Sequence, residues 1–281
     1  MSDTACLYIV PTPIGNLSDI STRALEVLNT VDLIAAEDTR HSSRLLQHYG
    51  IQTRTISLHS HNESQRSKQL IEKLEAGISV ALISDAGTPL ISDPGYELVN
   101  ECRLKNIKVS ALPGPCALTT ALSASGLPTD RFMFSGFLSL KKQAKEQALL
   151  DAANSNITQV FYESPRRVKD TLLLCKSILP ASTRYTLAKE LTKTFETYVT
   201  GSIDQVLDYL QADPSHEKGE FVFMLYTPLT CKNDIPSEAI SLLEQLFEVL
   251  PPKKAASIVA QHYDLNKKSL YEYGLKAKEN R

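Results

Sequence analysis

The segment SVALISDAGTPLISDPG, residues 79–95, is the most informative part of the sequence about the fold. It opens with an apolar run that predicts a buried strand over residues 79–84, and it continues as a loop rich in Gly, Pro, Asp, Ser and Thr. A helical pattern over residues 63–76, closed by Gly77, precedes the stretch, and another helical pattern over residues 96–105 follows it. Helix, strand, long loop and helix in this order are typical of a parallel α/β sheet.

The same alternation extends outward from this stretch. Further strands are predicted at residues 7–10, 31–36, 55–58 and 107–112, and further helices at residues 18–30 and 40–49. Ser18 is the expected N-cap of the first of these helices. The pattern predicts an N-terminal α/β domain over residues 1–114, with a mostly parallel sheet.

The rhythm changes after residues 127–130. Predicted strands at residues 185–190 and 194–200 are almost adjacent, so we expect them to form a hairpin within a second α/β domain over residues 115–229. The segment TPLTCKNDIP, residues 227–236, predicts a linker. Three helical windows follow it, which predicts a small helical segment over residues 237–281.

Composition excludes several classes of protein. The 30 basic and 32 acidic residues give a net charge of -2, which excludes a histone-like nucleic-acid binder but not a local basic patch. No stretch reaches the roughly 20 apolar residues of a membrane span, and the N-terminus lacks a signal-peptide pattern. We therefore expect a cytoplasmic protein with no membrane partner.

The cysteines and histidines do not predict a metal site. The five cysteines are widely spaced and include no Cys-x-x-Cys, so reduced thiols are expected rather than disulfides or a zinc site. His59 and His61 stand two residues apart, but no third ligand is suitably spaced. No metal is predicted.

Three loops are candidates for ligand binding, because each follows a strand and ligands bind beyond the carboxyl ends of parallel strands. In residues 11–16 (PTPIGN), Gly15 would let a ligand approach the backbone, or the loop is simply a rigid turn. Residues 84–95 would recognise a ligand through main-chain groups, or they form a loop held by Asx-turns. In residues 112–116 (LPGPC), Pro115 is expected at the first position of a helix, or the loop is only a domain-crossing turn. No Gly-x-Gly-x-x-Gly or P-loop pattern occurs, which disfavours dinucleotide and NTPase sites.

Two polar clusters also follow strands. Residues 37–40 (EDTR) could hold a substrate or a base, or they are an acidic helix N-terminus favoured by the dipole. In residues 161–167 (FYESPRR), the aromatic rings could flank a planar ligand. The alternative is core packing for Phe161 and a capped helix after Pro165.

The motifs are more specific together than singly. VPTPIGNLSDIS at residues 10–21, AEDTR at 36–40, SDAGTPLISDPG at 84–95 and ALPGPCA at 111–117 occur in this order, followed by LPTDRF at 127–132 and FYESPRRV at 161–168. This combination resembles the tetrapyrrole-methylase superfamily of S-adenosylmethionine-dependent methyltransferases. Within that superfamily it is similar to the ribosomal RNA small subunit methyltransferase I family over nearly the whole chain.

The resemblance implies a fold, a reaction and a set of site residues. It implies two α/β domains with S-adenosylmethionine in the cleft between them, a homodimer, and 2′-O-methylation of cytidine 1402 in 16S rRNA of the small ribosomal subunit. By position, the residues implied to bind the methyl donor are Pro13, Gly15, Asp85, Ala86, Gly87, Thr88, Cys116, Phe161, Tyr162 and Leu191.

This chain differs from many tetrapyrrole methylases at two positions of these motifs. Many tetrapyrrole methylases carry Gly-x-Gly-x-Gly in the first loop, whereas this chain has only Gly15, which disfavours a corrin or porphyrin substrate. Cys116 stands where many relatives carry serine, so a hydroxyl donor is lost there.

The implied reaction needs help at the acceptor, because a ribose hydroxyl is a poor nucleophile at neutral pH. Asp38, Arg40, His61 and Glu163 are the hypothesised frame of the acceptor. A carboxylate or His61 would receive the proton, and the sequence does not choose between them.

The C-terminal segment supplies a separate argument for RNA. From residue 251 onward it carries seven basic residues against three acidic ones. Two short helices joined by a turn resemble a helix-turn-helix, with Lys253, Lys254, Lys267 and Lys268 as candidate RNA phosphate contacts. The alternative is a solvated helical tail or a dimer arm.

Two other functions compete with this one. A small-molecule methyltransferase of the same superfamily would keep the donor cleft and change the acceptor, and the missing Gly-rich loop and the basic tail argue against it. A non-catalytic RNA-binding protein would keep the fold and bind no methyl donor.

Overall fold

The computed structural model describes residues 5–228, 236–263 and 265–279. These residues form two sheets with their covering helices and a set of C-terminal helices. The chain divides after Thr227 into a larger α/β unit and a smaller helical unit. Most of the predicted linker, Cys231 included, lies outside the described residues. None of the described helices is both long and apolar enough to cross a membrane.

The first sheet is entirely parallel, where the sequence predicts a mostly parallel one. Its strands are β1 Cys6–Ile9, β2 Leu33–Ala36, β3 Thr55–Ser57, β4 Val80–Ile83 and β5 Lys108–Ala111, in the order β3-β2-β4-β1-β5. Every residue of β2 and β4 is buried, which is why these strands read as continuous apolar runs rather than alternating ones.

Helices cover both faces of this sheet. They are α1 Thr22–Thr30, α2 Thr39–His48, α3 Glu63–Glu75 and α4 Tyr96–Leu104. Leu28 and Leu46 pack on one face, and Leu70 and Leu98 pack on the other. This three-layer arrangement leaves the loops at the carboxyl edge of the sheet free to build a site.

The first helix begins later than predicted. Residues Leu17–Asp19 form a 3-10 turn in which the Asn16 side chain accepts the Ser18 N–H, and Ile20 is extended. The N-cap is therefore Ser21, whose Oγ accepts the Ala24 N–H at 3.1 Å. The prediction of Ser18 as N-cap is wrong, because residues 17–19 form a separate 3-10 turn and the helix starts only at Thr22.

The second sheet is mixed. Its strands are β6 Phe132–Phe137, β7 Thr158–Glu163, β8 Arg184–Lys189, β9 Thr197–Gly201 and β10 Phe221–Tyr226, in the order β6-β7-β10-β8-β9. β6 pairs with β7 in parallel and all other pairs are antiparallel. The predicted hairpin is confirmed as β8 and β9.

Helices again cover both faces of the second sheet. They are α5 Ala117–Ser123, α6 Lys142–Asn154, α7 Val168–Ile178 and α8 Ile203–Ala212. α6, α7 and α8 share one core with the sheet, and α5 packs on its other face. α5 starts at Ala117 with Cys116 in the N-cap position, so the prediction that Pro115 occupies the first helical position is wrong by two residues.

The helical unit contains three described helices, α9 Ser237–Val249, α10 Pro252–Tyr263 and α11 Lys267–Glu279. They enclose a small core of their own around Leu243, Ala256, Val259 and Leu270. The Asn266 side chain accepts the Lys268 N–H at 2.8 Å and so caps α11.

A side chain from α3 caps helix α4. Gly95 precedes α4 and provides no capping side chain, but Glu63 Oε1 accepts the N–H groups of Gly95 at 2.8 Å and Glu97 at 3.0 Å. A carboxylate at a helix N-terminus also interacts favourably with the helix dipole. Glu63 thereby fixes the end of the loop 84–95.

We predict that Glu63→Ala lowers the free energy of unfolding by about 1 kcal/mol, the usual loss for a helix cap. Urea denaturation measures it. Glu72→Ala on the same helix is the control, because Glu72 is exposed and caps no helix. Equal midpoints for the two variants would contradict the capping role.

Candidate active site

Two loops at the carboxyl edge of the first sheet are joined through their main chains. Thr12 N–H donates to Gly87 O, and Gly87 N–H donates to Thr12 O, both at 2.9 Å. Gly87 has φ +81°, which favours glycine. The bridge holds the loop after β1 against the loop after β4, which are neighbouring strands.

The second domain faces this edge across an interdomain cavity of about 420 Å³. A cavity of this size suits a small organic ligand. From the first domain it is lined by Ile14, Glu37, Asp85, Ala86, Gly87, Thr88, Ile91, Ser92 and Asp93; from the second domain it is lined by Cys116, Ala117, Phe137, Tyr162, Glu163, Ser164, Pro165, Leu191, Glu220, Phe221 and Val222.

Most of the residues predicted to bind the methyl donor lie in this cavity. The ones that line it are Asp85, Ala86, Gly87, Thr88, Cys116, Tyr162 and Leu191. Pro13, Gly15 and Phe161 do not line it. Motifs that are far apart in the sequence are therefore brought together.

Hydrogen bonds fix the third loop against the second. Thr88 Oγ1 donates to Pro115 O at 2.8 Å, so the backbone just before α5 is tied to the loop 84–95. The Tyr162 hydroxyl accepts the Leu118 N–H at 3.2 Å in the first turn of α5. Burial raises the pKa of Tyr162 above its ordinary value, so this phenol stays neutral.

Gly15 is a glycine for a different reason from the one predicted. A Cβ there would lie 2.8 Å from Leu191 O and 2.5 Å from Lys193 Cγ, closer than real Cβ atoms approach. Asn16 N–H also donates to Thr192 Oγ1 at 3.0 Å. Gly15 thus allows close packing between the first loop and the second domain, and the structure does not place it on the cavity wall.

The side chain of Phe161 lies on the opposite face of the second sheet. It is 2% exposed and stacks on Phe223, with ring centroids 6.0 Å apart, in the core under α6, α7 and α8. The next residue, Tyr162, faces the cavity. The alternative of core packing for Phe161 is the one that the structure supports, because successive strand residues point to opposite faces.

Asp38 and Arg40 lie at the same sheet edge but not on the cavity wall. Both Asp38 oxygens accept hydrogen bonds from the Arg40 guanidinium, at 3.2 and 2.8 Å, and Oδ1 also accepts the Arg40 N–H at 2.8 Å. These bonds hold the pKa of Asp38 well below its ordinary value. The Arg40 side chain is 90% exposed. Asp38 is the N-cap of α2 and is also ion-paired with Arg40, so it is a poor proton acceptor.

His61 is exposed and lies outside the cavity lining. Its ring contacts His59 edge to face, with centroids 6.0 Å apart. Within the described residues, no group of three or more His, Cys, Asp or Glu side chains is arranged to hold a metal ion.

Glu163 lines the cavity only through its backbone, because its side chain has no exposed surface. Oε1 accepts the Ser164 N–H at 2.9 Å and lies 3.2 Å from Arg167 Nε, and Oε2 accepts the Thr171 hydroxyl at 2.8 Å. Thr171 in turn accepts a hydrogen bond from the buried Lys145 at 3.0 Å. Glu163 is therefore a brace for the loop 164–167, and a role in receiving the proton does not fit its position.

Two carboxylates that are not among the four hypothesised acceptor residues, Glu37 and Asp93, lie on the cavity wall. Burial, together with the negative charges of Asp93 and Asp85, raises the pKa of Glu37. Burial and the charge of Asp85 raise the pKa of Asp93, despite a hydrogen bond from Ser84. Neither carboxylate forms an ion pair with a described residue. A carboxylate whose pKa is shifted toward neutrality is suited to general-base work.

Known proteins with similar sequences match both the α/β part of the chain and its helical unit. A family model described as Tetrapyrrole (Corrin/Porphyrin) Methylases matches residues 6–207, and one described as RsmI C-terminal HTH domain matches residues 233–278. The ribosomal RNA small subunit methyltransferase I of Vibrio cholerae serotype O1 is 50% identical over 270 residues, which are 96% of this chain and 94% of that protein.

The chain belongs to the ribosomal RNA small subunit methyltransferase I family.

Other relatives agree with this assignment to the methyltransferase I family. The protein of that name from Escherichia coli O157:H7 is 49% identical over 269 residues, covering 96% of this chain and 94% of that protein. Among solved structures, diphthine synthase has a TM-score of 0.63 at 15% identity, covering 80% of this chain and 90% of that chain. Cobalt precorrin-4 methyltransferase has a TM-score of 0.56 at 14% identity, covering 80% and 96%. These two structures bear on the fold alone, and the predicted fold class is confirmed.

For this member of the methyltransferase I family we predict that Glu163→Ala lowers the free energy of unfolding by about 3 kcal/mol, because Arg167 and Lys145 lose their buried countercharge. Urea denaturation measures the loss. The control is Glu217→Ala, which removes the partly exposed Lys169–Glu217 pair at 2.7 Å and is expected to cost less than about 1 kcal/mol. Similar losses of unfolding free energy in both variants would refute the role of Glu163 in holding the loop 164–167.

We also predict that Glu37→Gln raises the melting temperature at pH 8 by about 1–2 °C, a small effect because the group is partly solvated. A carboxyl whose folded pKa is raised destabilises the fold once it ionises, so the gain grows as pH rises through that pKa and shrinks toward pH 5. Calorimetry at the two pH values, with the exposed Glu26→Gln as control, measures the difference. A gain that is the same at both pH values would rule out the charge as its cause.

Proposed function

We propose that this chain transfers a methyl group from S-adenosylmethionine to the ribose 2′-hydroxyl of cytidine 1402 in 16S rRNA of the small ribosomal subunit. The proposal rests mainly on one observation, the match along nearly the whole chain to relatives named ribosomal RNA small subunit methyltransferase I. Acting on a ribosomal subunit, the enzyme would work in the cytoplasm.

The cavity fits such a methyl donor. Its volume of about 420 Å³ suits a nucleoside with an amino-acid tail. Glu37, Asp85 and Asp93 on its wall complement a ligand with net positive charge, while Leu191 and Val222 offer apolar contact. When bound, S-adenosylmethionine supplies an electrophilic methyl group on a sulfonium centre.

Each group of binding residues has a distinct part. Residues 85–88 would hold the donor largely through main-chain groups, on the loop that the Thr12–Gly87 bridge fixes. Cys116, Tyr162 and Leu191 would close the second-domain side. Pro13 and Gly15 would act indirectly, because Gly15 lets the first loop pack against residues 191–193.

We propose that a carboxylate on the cavity wall receives the proton of the acceptor 2′-hydroxyl. Glu37 and Asp93 line the cavity and lack a cationic partner among the described residues, whereas Glu163 is enclosed and Asp38 is paired. Glu37 or Asp93 would take the 2′-hydroxyl proton as the nucleophile attacks. Arg40 and His61, both exposed, would contact RNA next to the acceptor.

The helical unit would dock the enzyme on the ribosomal particle. Lys253 and Lys254 near the start of α10, and Lys267 and Lys268 at the start of α11, are all exposed. Among the described residues, the ion pair of Lys268 is a weak one with Glu272, at 3.9 Å. Such lysines give affinity for phosphates without reading sequence.

A homodimer also belongs to the proposal. β6 is an edge strand of the second sheet, with Phe132 43% and Met133 51% exposed. Exposed apolar edge strands are typical sites of association. Light scattering on the purified protein would decide between one copy and two.

The test of the reaction is methyl transfer from labelled S-adenosylmethionine to small ribosomal subunits that lack their native methylations, with the modified nucleotide mapped. We predict label at one ribose 2′-oxygen, at cytidine 1402. No label with intact donor binding by calorimetry would favour a small-molecule acceptor. No donor binding would leave a non-catalytic RNA-binding protein.

The test of docking is substitution of the four lysines by alanine. We predict weaker binding to the ribosomal particle and a shallower salt dependence, in which the slope changes by about one for each phosphate that the variant no longer binds. Donor binding should not change. Deleting residues 237–281 should give the same result, and a loss of donor binding in either variant would contradict a docking role.

A further inference from the structure

An exposed phenylalanine lies on the wall of the interdomain cavity. Phe137 is the last residue of β6 and is 55% exposed. The pairing register of β6 with β7 shifts between Phe134 and Phe137, and Gly136 has φ +64°. Irregularities of this kind redirect a side chain, and here the redirected side chain is a large apolar ring at the cavity.

Neighbouring rings support Phe137 from one side. It contacts Tyr162 edge to face, with centroids 5.7 Å apart and planes at 66°. Tyr162 is itself held by Phe134, with centroids 4.8 Å apart, and by the Leu118 N–H. More than half of the Phe137 surface is nevertheless uncovered, so the ring is positioned and still available to a ligand.

A cation lies on the loop that follows β7 and borders the cavity. Arg166 follows Pro165, which lines the cavity, and it is exposed with no ion pair among the described residues. The loop is fixed by the Glu163 brace, and Arg167 Nη2 donates to Leu138 O, the residue after Phe137. The aromatic segment and the basic loop, which both contribute residues to the cavity wall, are thus tied together by this hydrogen bond.

Charge restricts which part of a nucleic acid can enter. The charged side chains on the cavity wall are those of Glu37, Asp85, Asp93 and Glu220, because the Glu163 carboxylate is enclosed, and none of the described lining residues is Lys, Arg or His. Phosphates are repelled from such an interior, whereas an uncharged base and its ribose are not. The exposed cations Arg166, Lys141 and Lys142 stand outside the lining.

We propose that Phe137 stacks on the nucleobase of the acceptor nucleotide and that Arg166 binds a phosphate of the same strand, so that the ribose is presented to the cavity. The inference rests on the proposed function, because it takes the acceptor to be RNA. An aromatic ring next to a cation is a common way to hold an unpaired base. Phe137 and Arg166 are then positioning residues for the acceptor strand.

The test uses full-length Phe137→Ala and Phe137→Trp, with Phe195→Ala as matched control. Phe195 is 75% exposed and does not line the cavity. We expect Phe137→Ala to lower kcat/KM for the small ribosomal subunit about 10- to 100-fold, as for the loss of one stacked base. Phe137→Trp should restore most of the activity, since tryptophan also stacks. The affinity for S-adenosylmethionine and the melting temperature should match wild type.

Arg166→Ala is tested by the salt dependence of binding to the same particle. The slope should fall by about one relative to wild type, while Arg103→Ala, an exposed arginine on α4 that does not line the cavity, should leave it unchanged. An unchanged slope for Arg166→Ala would overturn the phosphate contact.

Three results would overturn the stacking role. Weaker binding of S-adenosylmethionine by Phe137→Ala would assign the ring to the donor's adenine. If the wild-type protein is a dimer and Phe137→Ala is a monomer, the ring would instead belong to the contact with a second copy. Activity equal to Phe195→Ala would leave the ring without a role in the acceptor site. Failure of the wild-type protein to bind the donor or methylate the particle is a separate outcome that removes the proposed function itself.

Discussion

The two main-chain hydrogen bonds between Thr12 and Gly87 are the constraint on which the site depends. They are possible only because β1 and β4 are neighbours in a parallel sheet, so that the loops after both strands leave from the same edge. With these loops joined, Thr88 reaches Pro115 O and the start of α5 is placed. The first loop then packs through Gly15 against residues 191–193 of the second domain, and the interdomain cavity closes around the loop 84–95.

The cavity has two chemically different walls. The first domain contributes carboxylates that lie at strand ends, where burial and mutual repulsion keep the pKa values of Glu37 and Asp93 above their ordinary values. The second domain contributes apolar and aromatic groups, among them Leu191 and Tyr162. A cationic donor with a planar base, and an acceptor that must lose a proton, both match this division.

The sequence predicts the sheets and the loops well. It predicts less well which side chains point into the cavity and which point into the core. Loop composition and strand order suffice for residues 85–88, because ligands bind where parallel strands end. Phe161 and Tyr162 could not be separated, because β7 is buried on both faces and shows no alternation. Likewise, whether Glu37 or Asp38 turns into the cavity depends on where α2 begins, and the structure uses Asp38 as its cap. The enclosure of Glu163 depends on Thr171 and Arg167, which a local pattern does not bring together.

The most direct measurement is hydrogen–deuterium exchange of the full-length protein with and without saturating S-adenosylhomocysteine, the product of the donor. We predict slower exchange in residues 84–95, 113–118 and 190–193, because these segments contribute to the cavity wall, and no change in residues 237–263. Protection confined to other segments, or protection of the helical unit without the loop 84–95, would contradict the assignment of the cavity as the methyl-donor site.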